Sequence, residues 1–169
     1  MEFRDSNTRR AGRISQWLAA VFMLGSPAMW GDALAAEPAP NGRAVLGISG
    51  PQWTLNRTNT FLLGFSYYGG LGAMEDFVRQ DLRDFRAAGF NWLRVWATWG
   101  GYETNISAVT REGLARESFL SRLKWMVAEC DRVGTVVDVT LNRGKELPDL
   151  RAHLTAVETL VEALKAYRN

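Results

Sequence analysis

At 169 residues, 47% apolar and 22% charged, the chain has the make-up of one globular domain and not of a disordered polymer. A formal charge of +2 is too near neutral to argue for nucleic acid or a membrane surface as a partner. Cys130 is the single cysteine, which excludes an intrachain disulfide or a cysteine-built metal cluster; its apolar helical spacing assigns it to core packing, and neither metal nor cofactor is expected.

Residues 1–36 read as a secretory signal peptide. Arg4, Arg9, Arg10 and Arg13 precede the apolar run Trp17 to Leu24, and the segment closes on Ala33-Leu34-Ala35-Ala36, a small-residue cleavage pattern. Gly25, Ser26, Pro27 and Asp32 break the run well short of the roughly 20 residues a membrane anchor needs. The mature chain is therefore expected to be secreted or periplasmic, without a membrane partner once the signal is cleaved. Residues 37–49, with Pro38, Pro40, Asn41 and Gly42, read as a linker.

The domain proper is expected over residues 50–169. Trp53-Thr54-Leu55, then Asn56-Arg57-Thr58-Asn59, then Phe61-Leu62-Leu63 read as a hairpin leading into a first main strand that runs from Phe61 to Tyr68. Gly69-Gly70-Leu71-Gly72 lacks the spacing of a dinucleotide loop. A first helix is predicted from Glu75 to Ala88 on the stripe Val78, Leu82 and Phe85, stopped by Gly89. The second strand, Asn91 to Trp99, puts Leu93, Val95 and Ala97 on one face and Trp92, Arg94 and Trp96 on the other. An unpaired guanidinium in a strand is costly to bury, so Arg94 implies an acidic partner or a wet cavity on its face.

A second helix from Ser118 carries Phe119, Leu123, Met126, Val127, Cys130 and Val133, with Gly134 as its stop. The third strand, Thr135 to Asn142, alternates Val137, Val139 and Leu141 with Asp138, Thr140 and Asn142. The third helix starts near Pro148 or Asp149, and its stripe Leu150, Leu154, Val157, Val161 and Leu164 is expected to face the core.

Strand and helix alternate three times, which implies a parallel sheet. Each strand keeps one apolar face and one polar, ring-bearing face, whereas a doubly wound sheet is apolar on both. All three helices therefore belong on one side, as in the wall of a (β/α) barrel. The fold class expected is α/β: the first three β/α units of a (β/α)8 barrel, preceded by a β-hairpin. The long connection from Ala97 to Glu117, against minimal turns at Gly89 and Gly134, marks the strands' C-terminal ends as the functional side.

Three stretches resemble the N-terminal third of a clan A glycoside hydrolase of the family 5 cellulase and mannanase type. They are Phe61 to Tyr68 with its leading hairpin, Gly89-Phe90-Asn91-Trp92-Leu93-Arg94-Val95-Trp96, and Val136-Val137-Asp138-Val139-Thr140. The resemblance implies a carbohydrate partner, a β-linked glycan, contacted by Tyr68, Arg94, Trp96, Trp99 and Asn142. It places an arginine at the position of Arg94 beside the catalytic nucleophile. A purely structural pairing of Arg94 with Asp138 stays open beside that role.

Two departures bear on activity. Many members carry His where Thr140 stands here. The family's acid/base and nucleophile glutamates belong to strands four and seven, beyond Asn169, and retaining hydrolysis needs two carboxyl groups about 5 Å apart. Within the chain, Glu75 and Asp76 read as a helix cap, Glu103 and Glu146 lie in loops without partners, Asp138 is expected to pair with Arg94, and His153 reads as a packing residue. No catalytic residue is assigned. The expectation is a fragment inactive by itself, whose open sheet edges invite self-association. A non-enzymatic carbohydrate-binding or scaffold module, with Trp96, Trp99 and Tyr102 stacking on sugar rings, is the alternative.

Overall fold

A computed structural model describes residues 44–101, 104–141 and 146–169. Residues 1–36, read as a signal peptide, residues 37–43 of the expected linker, Tyr102, Glu103 and Asn142 lie outside the described residues.

The chain first builds a small antiparallel sheet of β1 (Leu46–Ser49), β2 (Gln52–Leu55) and β3 (Thr58–Asn59), in that order. Asn56 and Arg57, at φ 52° and 69°, make the two-residue turn between β2 and β3, the left-handed pair whose twist suits a hairpin. Strand β1 corrects the linker reading, which ran to residue 49. Composition marked the stretch as irregular, but Leu46 pairs with Leu55 and Ile48 with Trp53, a partner that composition does not reveal.

The main sheet is parallel: β4 (Gly64–Tyr67), β5 (Trp92–Trp96) and β8 (Val136–Thr140), ordered β4-β5-β8. Its register sets Ser66 beside Arg94 and Arg94 beside Asp138. Helices α1 (Glu75–Ala87), α2 (Glu117–Arg132) and α3 (Leu150–Leu164) connect or follow these strands. Leu93, Val95 and Ala97 are at most 1% exposed and form one apolar cluster with Val78 and Leu82 of α1 and Leu123, Met126 and Cys130 of α2. The alternation read from the sequence is the alternation found.

Gly89 and Gly134 end α1 and α2 alike. Each adopts a positive φ, 87° and 74°, and the next residue reaches back: Phe90 N–H donates to Phe85 O at 2.9 Å and Thr135 N–H to Cys130 O at 2.9 Å. Only glycine takes that backbone shape without cost, so the chain turns directly into β5 and β8.

Helix α3 overturns one expectation. Its buried residues are Ala152, Ala156 and Leu160, whereas Leu150, Leu154 and Val161 are 60%, 54% and 62% exposed. The helix carries two apolar faces, and the smaller one is docked. Gly113 explains the choice. It sits so close that a methyl group there would collide with the Ala152 carbonyl and stand 2.5 Å from the Ala156 nitrogen. Thr159 Oγ1 donates to Gly113 O at 2.8 Å, and Asp149 caps the helix by accepting from Ala152 N–H at 2.8 Å.

The connection after β5 is built rather than loose. It holds a two-stranded hairpin, β6 (Gly100–Gly101) and β7 (Thr104–Asn105), and then buries Ile106, Ser107, Ala108 and Val109. Backbone bonds tie it down: Ala108 N–H to Ala97 O at 2.7 Å and Ile106 N–H to Trp99 O at 3.0 Å.

Candidate functional site

The polar face of the parallel sheet presents three aromatic rings at the C-terminal ends of β4 and β5. Tyr68 follows β4 directly, Trp96 closes β5, and Trp99 lies three residues further on. Tyr68 and Trp96 stack at 5.6 Å between ring centres with 21° between planes; Trp99 stands 5.2 Å from Tyr68 and 6.0 Å from Trp96. Tyr68 is 58% exposed, so the cluster opens to solvent. Its indole donor Trp96 Nε1 is buried and has no hydrogen-bond partner among the described residues.

One strand position below the rings, Arg94 Nε donates to Asp138 Oδ2 at 3.0 Å. The acidic partner that the sequence demanded of Arg94 is thus present. The face is also wet, since the two side chains keep 41% and 34% of their surface. Thr140 Oγ1 donates to Asp138 Oδ1 at 3.1 Å, so both carboxylate oxygens are engaged. The Arg94 guanidinium stands 5.3 Å over the Trp92 ring, a cation–π contact on the same face of the sheet. The face offers a fixed cation and exposed ring surface, a combination suited to polar ligands with apolar faces.

Of the residues read from the sequence, Tyr68, Trp96 and Trp99 come together, and Arg94 lies beside them on β5; Asn142 lies outside the described residues. Glu75 and Asp76 stand in the first turn of α1, but Met74 holds the cap position and no side chain caps the helix; Glu75 instead pairs with Arg79 of the same helix at 3.2 Å and Arg122 of α2 at 2.9 Å, while Asp76 keeps 97% of its side chain in water. His153 is half-buried on α3, with Nδ1 unpartnered among the described residues.

Three supporting contacts were not read from the sequence, although Thr140 and Glu146 were named there. Thr140 braces Asp138, Ser107 Oγ accepts the Trp99 N–H at 3.0 Å, and Glu146 lies so near Gly100 that a methyl group there would meet its Oε1 at 2.8 Å. The Ser107 contact had a faint local signal. Asn105 Oδ1 accepts the Ser107 N–H at 2.9 Å, the self-folding turn that an Asn two residues ahead of a polar residue favours. Glu146 had none, because it is brought to Gly100 by the folding of two separate connections.

Fold and site together define a mixed α/β protein with a parallel sheet and three helices, compatible with part of a (β/α) barrel and with its aromatic cluster at the end where such barrels carry function. Among solved structures the chain is similar to the endo-1,4-beta-mannanase from Rhizomucor miehei, with a TM-score of 0.50 and 16% sequence identity. The likeness covers 72% of this chain and 40% of the mannanase and is a likeness of fold. The chain thus spans well under half of that structure. No family model matches the sequence, and no curated protein does.

Proposed function

We propose that the chain forms the first three β/α units of a glycoside hydrolase-like barrel, exported from the cell, that binds a β-linked glycan on its Tyr68, Trp96 and Trp99 rings. The observation that carries this reading is the ring cluster itself, set beside the Arg94–Asp138 pair at the C-terminal end of a parallel sheet. Sugar rings present apolar C–H faces and polar rims, which match aromatic plates flanked by a cation. Glu146, which comes to rest beside Gly100, is assigned to contacts with the sugar's hydroxyl groups, and the same role is proposed for Asn142 from the sequence alone.

The chain by itself is inactive in this proposal. Retaining hydrolysis needs one carboxyl group to protonate the leaving oxygen and another, about 5 Å away, to attack. Asp138 is tied to Arg94 and Thr140, and no second carboxyl group among the described residues is paired with it across the ring cluster. A non-enzymatic carbohydrate-binding module shares the same ring cluster. The bare aliphatic face of α3 favours the barrel piece, because a free-standing module covers such a face.

The test is titration of the chain with manno- and gluco-oligosaccharides followed by tryptophan fluorescence, beside a reducing-sugar assay on β-mannans and β-glucans. Saturable quenching is expected, with Trp96→Ala weakening binding by at least about tenfold, the loss of one stacking platform. Absence of any saturable response would overturn the glycan reading. Sugar release abolished by a point substitution within this chain would overturn the inactive one.

A further inference from the structure

The three rings of the cluster lie too close to one another for a sugar to enter between them. Their centres form a triangle with sides of 5.2, 5.6 and 6.0 Å. Aromatic pairs in direct contact have centres about 4.5–7 Å apart. A pyranose held between two parallel rings would make carbon contacts of about 3.5–4.0 Å on each side, which parts the planes by about 7–8 Å. Tyr68 and Trp96, only 21° from parallel, have planes no further apart than the 5.6 Å between their centres. A ligand therefore meets the cluster from outside.

From outside, the rings are not equivalent. Tyr68 is 58% exposed, whereas Trp96 is half-buried behind it, and its Nε1 is shut from solvent without a partner among the described residues. An indole with one face stacked on a phenol ring and its polar edge turned inward has little left to offer a sugar. Trp99 stands at 54° to Tyr68 and 63° to Trp96, so it lines one side of the stack and is not a third layer of it. Backbone bonds fix Trp99 there: its N–H donates to Ser107 Oγ at 3.0 Å, and its carbonyl accepts from Ile106 N–H at 3.0 Å. Tyr68 stands where the chain turns after β4, just ahead of Gly69 at φ 69°, and Trp96 is the ring against which its inner face rests.

We propose that Trp96 is a positioning residue: it holds the Tyr68 ring, and the outer face of Tyr68, walled on one side by Trp99, takes a single sugar unit of the glycan. The inference rests on the glycan reading above and narrows it, because Tyr68 and Trp96 together make one composite platform and not two. Successive units of one sugar chain then compete for that platform, and a longer chain gains no further ring of the cluster.

The experiment is isothermal titration calorimetry of the full chain with mannose, glucose and their β-1,4-linked oligomers up to the hexasaccharide. Wild-type affinity is expected to rise less than about tenfold from disaccharide to hexasaccharide, whereas separate platforms for successive units would raise it about a hundredfold or more. Trp96→Phe, which keeps a ring behind Tyr68, should bind within about threefold of wild type, and Trp96→Leu and Tyr68→Leu should each lose at least about tenfold. Circular dichroism of each variant reports that the fold is retained. The readout that a merely structural role would not move is the sugar-dependent change in tryptophan fluorescence: it should persist in Trp96→Phe and vanish in Trp99→Phe. Saturable binding whose fluorescence change is lost in Trp96→Phe overturns the positioning role and leaves the glycan reading standing. So does an affinity that climbs a hundredfold with chain length, or a Trp96→Leu variant that binds as wild type does. Wild type without saturable heat at any length overturns both.

Discussion

Leu160 and Leu154 are the same residue type on one helix, yet the structure assigns them opposite weights. Leu160 is 5% exposed within the core cluster, and Leu154 is 54% exposed. Truncating a buried leucine removes its transfer free energy and leaves a cavity, together about 2–5 kcal/mol. Fully burying a leucine side chain is worth about 1.5–3 kcal/mol, so one about half buried contributes roughly 1 kcal/mol and leaves no enclosed void when cut back. Leu160→Ala is therefore expected to cost at least twice what Leu154→Ala costs. Urea unfolding followed by near-ultraviolet circular dichroism reads the difference. With a denaturant slope of about 1–3 kcal/mol per molar, Leu160→Ala lowers the midpoint by about 1 M or more. Equal losses would refute the docking of α3 by its small face.

Other expectations follow from buried and paired groups. Tyr67 donates to Asp81 Oδ2 at 2.5 Å; burial first, and then this hydrogen bond to a carboxylate, hold its hydroxyl far above the ordinary tyrosine range. A raised folded value means stability that is complete below the unfolded value of about 10 and lost as pH rises beyond it. Thermal unfolding from neutral to strongly alkaline pH should show this decline, and Tyr67→Phe should flatten it; an unchanged slope would remove Tyr67 as its source. Burial, with Glu129 adding to it, pushes the Cys130 thiol up to about 12. Alkylation by iodoacetamide at mildly alkaline pH should then be at least about a hundredfold slower in the native chain than in urea, and comparable rates would place Cys130 outside the core. The Arg94–Asp138 pair is half in water, so a double-mutant cycle of Arg94→Met and Asp138→Asn should return a coupling of about 0.2–1 kcal/mol; a coupling of several kcal/mol would mean a far drier face.

Strand faces were legible because their signal is local. Leu93, Val95 and Ala97 alternate with Trp92, Arg94 and Trp96, and a pleated strand must send such a series to two sides. Helix ends were legible for the same reason, since Gly89 and Gly134 carry the stop within their own backbone freedom. Strand β1 was not legible, because nothing in Leu46–Ser49 states that Gln52–Leu55 will pair with it. Nor was the folded character of residues 104–109, whose burial depends on contacts with Ala97 and Trp99.

The sequence by itself determined the order of the three main strands and three helices, the division of each main strand into an apolar and a polar face, and the demand that Arg94 find an anion. These are consequences of side-chain period and of the cost of burying an unpaired charge, both properties of the chain before it folds. Only the tertiary structure decided which of the two apolar faces of α3 is buried, that Thr140 shares in holding Asp138, and that Glu146 comes to rest beside Gly100. Each of those depends on how closely two distant backbones approach. That distance is set by the small residues between them, here Gly113 against Ala152 and Ala156, and no periodicity along a single segment contains it.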